Sequence, residues 1–300
     1  MNGAVPPAPA GPPGTARRPR AGRNLPVAIG VGVALGAVFV ASLLIRREAF
    51  VVVATVACAV AVREMALAFR AHHLDVPVPP LVAGAVAMLP AAYVGGVESL
   101  FVAHALTVGA LLLWRLGGHP AARGPETGLA RVPAVRDVTA GVFIATYVPF
   151  LAGFAMLMLA APDGPWRIFV FVLLVVASDI GGFVAGVLFG RHPMAPTVSP
   201  KKSWEGLAGS LALGAAAGAV SVPLALHGPW WAGALLGLAA VVSATVGDLS
   251  ESLLKRDLGI KDMSDLLPEH GGIMDRLDSI LPTAPVIHLV LLAAVSPPGP

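Results

Sequence analysis

The chain has 300 residues, of which 56% are hydrophobic and 12% are charged, and its formal net charge is +3. Soluble chains carry about 25% charged residues, so this composition excludes an ordinary soluble domain and indicates a polytopic membrane protein. The small net charge gives nucleic-acid binding no electrostatic support. Because Cys58 is the one cysteine, an intramolecular disulfide and a cysteine-based metal site are also excluded.

The N-terminal residues 1–24 are rich in Pro, Gly, Ala and Arg and show no hydrophobic periodicity. This composition predicts a disordered tail. The apolar run that follows, 27–45, is long enough to span a bilayer and lacks a clear cleavage site, which favours a retained first helix over a signal peptide. Residues 25–300 are therefore predicted to form one transmembrane domain.

Nine apolar segments follow the tail, and each is close to the 20 or so residues that span a bilayer as a helix. They are apolar throughout and do not alternate, which excludes a transmembrane β-barrel. The predicted fold class is therefore all-α, a polytopic integral membrane protein with about nine transmembrane helices. The third and fourth segments are joined only by a tight turn at Gly95-Gly96. The predicted segments are 27–45, 49–69, 79–96, 99–116, 139–161, 167–190, 207–226, 230–250 and 279–296.

The basic residues are distributed unevenly between the two sides of this layout. With the N-terminus in the cytoplasm, seventeen of the twenty Lys and Arg residues fall in the tail or in loops on the cytoplasmic side. The other three are Arg46, Arg47 and Arg167. Because positive loops stay inside, this asymmetry predicts a multi-pass protein of the cell (inner) membrane with a cytoplasmic N-terminus.

A polar island, residues 248–278, interrupts the apolar pattern on the predicted cytoplasmic side and holds eight of the seventeen acidic residues. Carboxylates are oxygen ligands suited to Mg²⁺, and Lys and Arg hold phosphate oxygens. The Gly271-Gly272 pair allows backbone amides to approach a phosphate closely. A merely solvated connecting loop is the alternative. The paired glycines, the histidine and the interleaved charges favour a site for metal ions and phosphates.

A second polar cluster begins with Asp179, which lies within the apolar sixth segment. An ionisable residue at such a depth usually faces a wet or protein-lined cavity, although it can also pair with a buried base. The block 199–206 follows on the predicted cytoplasmic side. Its adjacent Lys201 and Lys202, beside a serine and a helix start, are typical of a phosphate grip. Anchoring of the helix at the membrane face is the alternative role for these lysines.

The residues from Ser252 to Asp278 resemble the signature of phosphatidate cytidylyltransferases, the CDP-diacylglycerol synthases. The segments around Ser178-Asp179 and 199–206 are similar to other blocks of that family, so the resemblance covers about residues 178–278. Departures are limited to Ile180, where a threonine is common, and His192-Pro193, where a basic stretch is usual.

The resemblance implies that CTP and phosphatidate react to give CDP-diacylglycerol and pyrophosphate at a cytoplasmic active site built mainly from 178–278. It implies Mg²⁺, with room for a second cation, membrane lipid as the setting, and a homodimer as a reasonable assembly. Asp248 and Asp275 match the metal positions, and Asp179, Asp262 and Asp278 are candidates to complete that site. The remaining implied residues are catalytic Lys255, Arg256, His270 and Arg276, and phosphate-binding Ser199, Lys201, Lys202, Lys261, Gly271 and Gly272.

Two other functions remain open from the sequence. A membrane enzyme that phosphorylates a polyprenol or another lipid with CTP would need the same charge-neutralising residues. A secondary transporter is less consistent with the chain, because transporters often repeat their broken helices in both halves. Here the polar residues gather in the C-terminal half, and residues 1–150 carry no matching cluster.

Overall fold

The computed structural model describes residues 25–117, 134–267 and 271–295, so the predicted tail, 1–24, lies outside the described residues. Within those ranges seven helices are long and apolar enough to cross a membrane. The all-α, multi-pass membrane fold is therefore confirmed, whereas the count of nine spans stays a prediction. Two of these seven combine shorter helices, since Val135–Ala160 covers α4 and α5 and Met274–Ala294 covers α9 and α10. The individual helices are α1 (Leu25–Ile45), α2 (Arg47–Ala71), α3 (Val78–Leu116), α4 (Ala134–Ala145), α5 (Leu151–Ala160), α6 (Gly164–Phe189), α7 (Trp204–Leu226), α8 (Trp230–Asp257), α9 (Met274–Leu277) and α10 (Ile280–Ala294).

Helix α3 is a folded-back pair rather than one straight rod. Its 39 residues would extend about 58 Å at 1.5 Å per residue, roughly twice the hydrocarbon core. The backbone is non-helical at Gly96, where φ is 71°, a value that residues with a side chain rarely adopt. Beyond this point Thr107 packs against Gly84, so the two halves lie side by side. The predicted third and fourth segments are these halves, and the chain turns where the Gly95-Gly96 pair predicted.

Helices α4 and α5 are joined by a turn of π-helix, Thr146–Phe150. The turn contains Pro149, which has no amide hydrogen and therefore cannot donate a helical hydrogen bond. A widened turn accommodates this interruption without ending the helix. The predicted segment 139–161 is thus one span with an internal irregularity, and that irregularity carries Tyr147.

Helices α6, α7 and α8 pack through glycines that allow their backbones to touch. A Cβ atom at Gly209 would overlap Ala185 and the backbone of Gly181, and one at Gly218 would overlap the carbonyl of Gly233. Small residues at such contacts let helices approach closely in a membrane, where apolar attraction between helices is weak. The three helices therefore pack closely against each other, and they surround the cavity described below.

A short β-hairpin, β1 (Pro193–Ala195) and β2 (Ser199–Ser203), connects α6 to α7. The sequence analysis did not predict these strands. Three prolines between residues 193 and 200 prevent a helix and favour extended backbone. The hairpin ends at Ser203, whose side chain accepts a hydrogen bond of 3.1 Å from the amide of Gly206 and so caps α7.

The opposite end of the bundle is held by two of the three arginines that the sequence placed there. Arg47 donates hydrogen bonds to the carbonyls of Ala161 (2.8 Å) and Pro162 (2.6 Å), which tie α2 to the end of α5. Arg167 is buried and pairs with Asp163 at 2.6 Å. Arginines therefore join the helices at this end of the bundle. Which of the two ends faces the cytoplasm stays a prediction.

The glycine contact between α7 and α8 predicts a specific loss of stability. Gly233→Ala places a methyl group against the Gly218 carbonyl and the Val222 side chain, so the helices must separate. Overpacking of this kind costs about 1–3 kcal/mol. We expect a lower unfolding temperature in detergent, measured by size-exclusion chromatography after heating. Gly109→Ala is the matched control, since nothing lies within 4 Å of its added Cβ. Equal unfolding temperatures for the two variants would contradict the close-packed contact.

Candidate active site

A cavity of about 210 Å³ lies between α6, the hairpin, α7 and α8. Three of these elements contribute charged residues: Asp179 from α6, Lys201 and Lys202 from β2, and Asp248 from α8. Asp248 begins the polar island, and the other three belong to the second cluster. The fold thus brings the two polar parts of the sequence to one place.

The charges around the cavity are arranged with both signs facing each other. The Nζ of Lys202 contacts an Oδ atom of Asp248, and both side chains are partly exposed. Asp179 is exposed and lies close enough to Asp248 and Lys202 to interact electrostatically. Lys201 is exposed, and no described side chain forms an ion pair or hydrogen bond with it. Asp179 therefore faces a polar cavity, as the sequence favoured, and Lys201 offers an uncompensated positive charge.

A row of charged side chains continues from the cavity into the protein. Asp278 adjoins both Asp248 and Glu251. Glu251 is fully buried, and its nearest cation is the Nζ of Lys255 at 3.5 Å. The same Nζ lies 2.9 Å from Oδ1 of Asp275. Lys255 is therefore the positive charge that two buried carboxylates share.

Asp275 organises the end of the polar island through three hydrogen bonds. Its Oδ1 accepts from Lys255, and its Oδ2 accepts from the amides of Met263 (2.9 Å) and Gly272 (2.8 Å). Both oxygens are engaged by the protein. Over the ranges that the structure describes, no group of three or more acidic, histidine or cysteine side chains is arranged to hold a metal ion. The metal roles of Asp248 and Asp275 stay predictions.

The Gly271-Gly272 pair has a structural explanation. Gly271 has φ of +78°, a value that favours glycine, and its backbone exchanges hydrogen bonds with that of Leu267 (2.8 and 3.1 Å). The amide of Gly272 donates to Asp275, and a Cβ atom at Gly272 would lie 2.7 Å from Oε2 of Glu64. Both amides thus have partners within the protein. Their predicted contact with phosphate is untested.

Two of the other predicted basic residues and Ser199 lie around the cavity end of the bundle. Arg256 is exposed, and its Nε is 3.4 Å from the carbonyl of Val198 in the hairpin turn. Arg276 is exposed and interacts electrostatically with Asp179. Ser199 pairs with Ala195 where β2 begins. The structure therefore brings Arg256 and Arg276 to the same end of the bundle as Lys201 and Lys202.

The middle of the island is less closely connected to the cavity. Lys261 and Asp262 are exposed, and the side chain of Asp262 lies beside Gly271. His270 lies outside the described residues. The structure gives Lys261 no described ion pair, so its phosphate-binding role rests on the sequence alone.

Glu64, on α2, is the most connected residue that the sequence analysis missed. Its carboxylate is buried and accepts hydrogen bonds from the Ser264 hydroxyl and from the amides of Ile273 and Met274. The available signal was an acidic residue inside an apolar predicted span, the same signal that identified Asp179. It was overlooked because the other charged residues of the site gather in the C-terminal half.

Tyr147 is a second residue that the sequence did not identify. It lies on the π-helical turn, and its buried hydroxyl has no hydrogen-bond partner among the described residues. The side chain is close enough to Glu251, Asp278 and Asp248 to interact electrostatically with them. Pro149 marked a local irregularity, but nothing in the sequence connected this turn to the carboxylates on α8.

This chain is similar to known proteins over most of its length. The sequence profile described as "Cytidylyltransferase family" matches residues 26–294. A "Phosphatidate cytidylyltransferase" of Mycobacterium leprae is 43% identical over 282 residues, which cover 92% of this chain and 90% of the relative. The protein of the same name from Mycobacterium bovis is 42% identical over 91% of this chain and 90% of its own. One from Pseudomonas aeruginosa is 45% identical over 125 residues, 41% of this chain and 46% of its own.

The buried charge row predicts different effects for two lysines of the site. Lys255→Met leaves the carboxylates of Glu251 and Asp275 without their shared cation, a loss that costs about 3–5 kcal/mol in buried pairs. We expect a large fall in unfolding temperature in detergent. Lys201→Met removes an exposed charge without a described partner and should leave that temperature nearly unchanged. Similar unfolding temperatures for both variants would show that Lys255 does not compensate buried charge.

Proposed function

This chain belongs to the cytidylyltransferase family, and we propose that it is the enzyme that transfers the cytidylyl group of CTP to phosphatidate. A phosphate oxygen of phosphatidate attacks the α-phosphorus of CTP. The bond from that phosphorus to the bridging oxygen of the β-phosphate breaks, giving CDP-diacylglycerol and pyrophosphate. The observation that carries the proposal is the cavity in which Asp179, Lys201, Lys202 and Asp248 meet, in a chain that matches the family from residue 26 to 294.

Charge neutralisation is the main task of such a site. Both substrates are anionic, so their approach in water is repulsive. The attacking oxygen belongs to a phosphate that is already ionised, and no strong general base is required. Positioning and electrostatic stabilisation of the phosphates therefore supply most of the rate acceleration.

The lysines of the hairpin are suited to bind phosphates. Lys201 is exposed and has no described anionic partner, and Lys202 contacts one carboxylate, Asp248. Both precede the N-terminus of α7, where the helix dipole favours negative charge. Arg256 and Arg276 are exposed at the same end of the bundle. We infer that these four residues hold the phosphates of CTP and phosphatidate, with Lys261 as a further candidate.

The acidic residues are suited to hold Mg²⁺. Asp248 and Asp278 adjoin, and the ion pair of Asp248 with the Lys202 ammonium supports a cation at this carboxylate. Hard carboxylate oxygens are the donors that Mg²⁺ prefers. We propose that Asp248 holds the ion with Asp278 and Asp179 in support, whereas the predicted metal roles of Asp275, whose two oxygens already accept from protein donors, and of Asp262 rest on the family resemblance. When bound, the ion supplies positive charge to the reacting phosphates. A second cation and the predicted homodimer stay predictions.

The lipid substrate is proposed to enter from the side of the bundle. Phe183 lines the cavity and is 73% exposed, so an apolar surface borders the charged residues. Acyl chains that remain in the bilayer can lie along this surface while the phosphate reaches Lys201 and Lys202. The positive-inside pattern supports placement in the inner membrane with this end in the cytoplasm, where CTP is available.

An assay of the purified protein tests this proposal. Protein in detergent with labelled CTP, phosphatidate and Mg²⁺ should form CDP-diacylglycerol and pyrophosphate in equal amounts. Asp248→Asn removes a charge from the cavity and should lower kcat about 100-fold or more, in the range of lost electrostatic stabilisation. Asp265→Asn is the matched control, because this aspartate of the same island is exposed and has no described ion pair; its activity should equal that of the wild type.

The products separate the proposal from its alternatives. Release of CDP with a phosphorylated alcohol would identify a CTP-dependent lipid kinase instead. Absence of turnover with either kind of acceptor, in a protein that elutes as a folded species, would contradict both enzyme assignments. Full activity of Asp248→Asn would remove that residue from the metal site.

A further inference from the structure

We propose that Glu64 is a positioning residue of the active site. It fixes the turn formed by residues 271–275, which leads into α9 and carries Asp275. This inference rests on the proposed cytidylyl transfer and adds a residue from the N-terminal half to it. Glu64 lies on α2, about two hundred positions before the turn, within a span whose neighbours are mostly apolar. It acts on the site through the backbone of the island and not by contact with a substrate.

The contacts of Glu64 are directed at one short segment. Its Oε1 accepts from the Ser264 hydroxyl at 2.6 Å and from the amide of Ile273 at 3.2 Å. Its Oε2 accepts from the amide of Met274 at 2.9 Å. The two amides are consecutive and belong to the start of α9, where backbone donors have no helical partner. Glu64 therefore determines where α9 begins.

The burial of Glu64 makes these contacts strong and specific. The residue is 4% exposed, so water cannot replace a lost partner. Hydrogen bonds to a charged acceptor are stronger than those between neutral groups, and an unsatisfied buried group is costly. Moving the turn away from Glu64 would leave a buried carboxylate without donors, so the turn is held in one place.

Glu64 and Asp275 hold the same turn from two sides. Gly272 donates its amide to Oδ2 of Asp275, and its Cα lies so close to Glu64 that an added Cβ would be 2.7 Å from Oε2. Met274, which donates to Glu64, directly precedes Asp275. The position of the Asp275 carboxylate beside Lys255 thus depends on Glu64 through one residue of backbone.

Both oxygens of Glu64 are occupied by these donors, which distinguishes it from Asp248 and Asp179 at the cavity. A direct role in binding CTP or phosphatidate would require breaking the contacts described above. A positioning role predicts instead that its loss changes the geometry of Asp275 and Lys255 while the cavity residues remain in place.

The test compares Glu64→Gln with Glu64→Asp, Ser264→Ala and the control Glu98→Gln. Glutamine presents one amide nitrogen to the backbone donors, so at least one hydrogen bond is lost. Aspartate keeps the charge but is one methylene shorter. Ser264→Ala removes one donor and leaves both amide contacts. Glu98 is exposed on α3 and has no hydrogen bond or ion pair within the described ranges, so the same Glu-to-Gln change there should have no effect.

We expect Glu64→Gln to lower kcat about 10- to 100-fold, the range found when a group that orients a ligand is lost. The KM for CTP should change less than threefold, because Lys201 and Lys202 are untouched. Glu64→Asp should recover part of the activity, and Ser264→Ala should lose less than Glu64→Gln. Amide hydrogen exchange, followed by mass spectrometry without substrates, should be faster in the peptide that contains Ile273 and Met274 and unchanged in the hairpin.

Each other outcome contradicts the proposal in a defined way. Wild-type kinetics for Glu64→Gln would show that the turn does not need Glu64. A lower yield or unfolding temperature with unchanged kcat per folded molecule would show a purely structural residue. Equal losses of kcat and of affinity for CTP would indicate a substrate contact instead. If the wild-type protein made no CDP-diacylglycerol, the proposed function would fail first, and the exchange measurement alone would still decide whether Glu64 holds the turn.

Discussion

The compensation of charge inside an apolar bundle is the constraint on which the rest of this structure depends. Lipid and tightly packed helices cannot solvate a carboxylate, so every buried acid needs a nearby donor or cation. Glu251 and Asp275 share Lys255, and Glu64 is satisfied by three donors of the island. Because these requirements are met by residues from three different elements, they fix the elements relative to each other. The same arrangement places anions and cations close together, which is what a reaction between two phosphates requires.

The close packing of α6, α7 and α8 complements this electrostatic arrangement. Glycine contacts such as Gly218 against Gly233 bring the helices together over much of their length. Near the hairpin the same helices leave a cavity, since its walls carry Asp179, Lys202 and Asp248 instead of interdigitating apolar side chains. The close helix packing thus holds the charged residues of the cavity in place.

The sequence predicted the membrane class and the helical segments because these depend on local composition. Segment positions and the turn at Gly95-Gly96 follow from patterns within short windows, whereas a shared site for Asp179 and Asp248 was implied only by the family resemblance. The hairpin was missed although its three prolines exclude a helix, because short extended segments leave little periodicity. The partners of Asp275 could not be predicted, since they depend on how the island folds back on α8. Tyr147 was missed for a similar reason, because its neighbours come from distant helices.

The connection through Glu64 changes how the two halves of the chain should be understood. The recognisable blocks cover residues 178–278, and the first half matched only by its hydrophobicity. Yet the turn that carries Asp275 is fixed by a residue of α2, and Tyr147 approaches Glu251, Asp278 and Asp248 from the π-helical turn. The C-terminal half supplies the cavity walls, but the acceptor that orders the start of α9 comes from α2. The N-terminal helices are therefore part of the site, because a charged turn next to lipid needs a partner that its own helices do not supply.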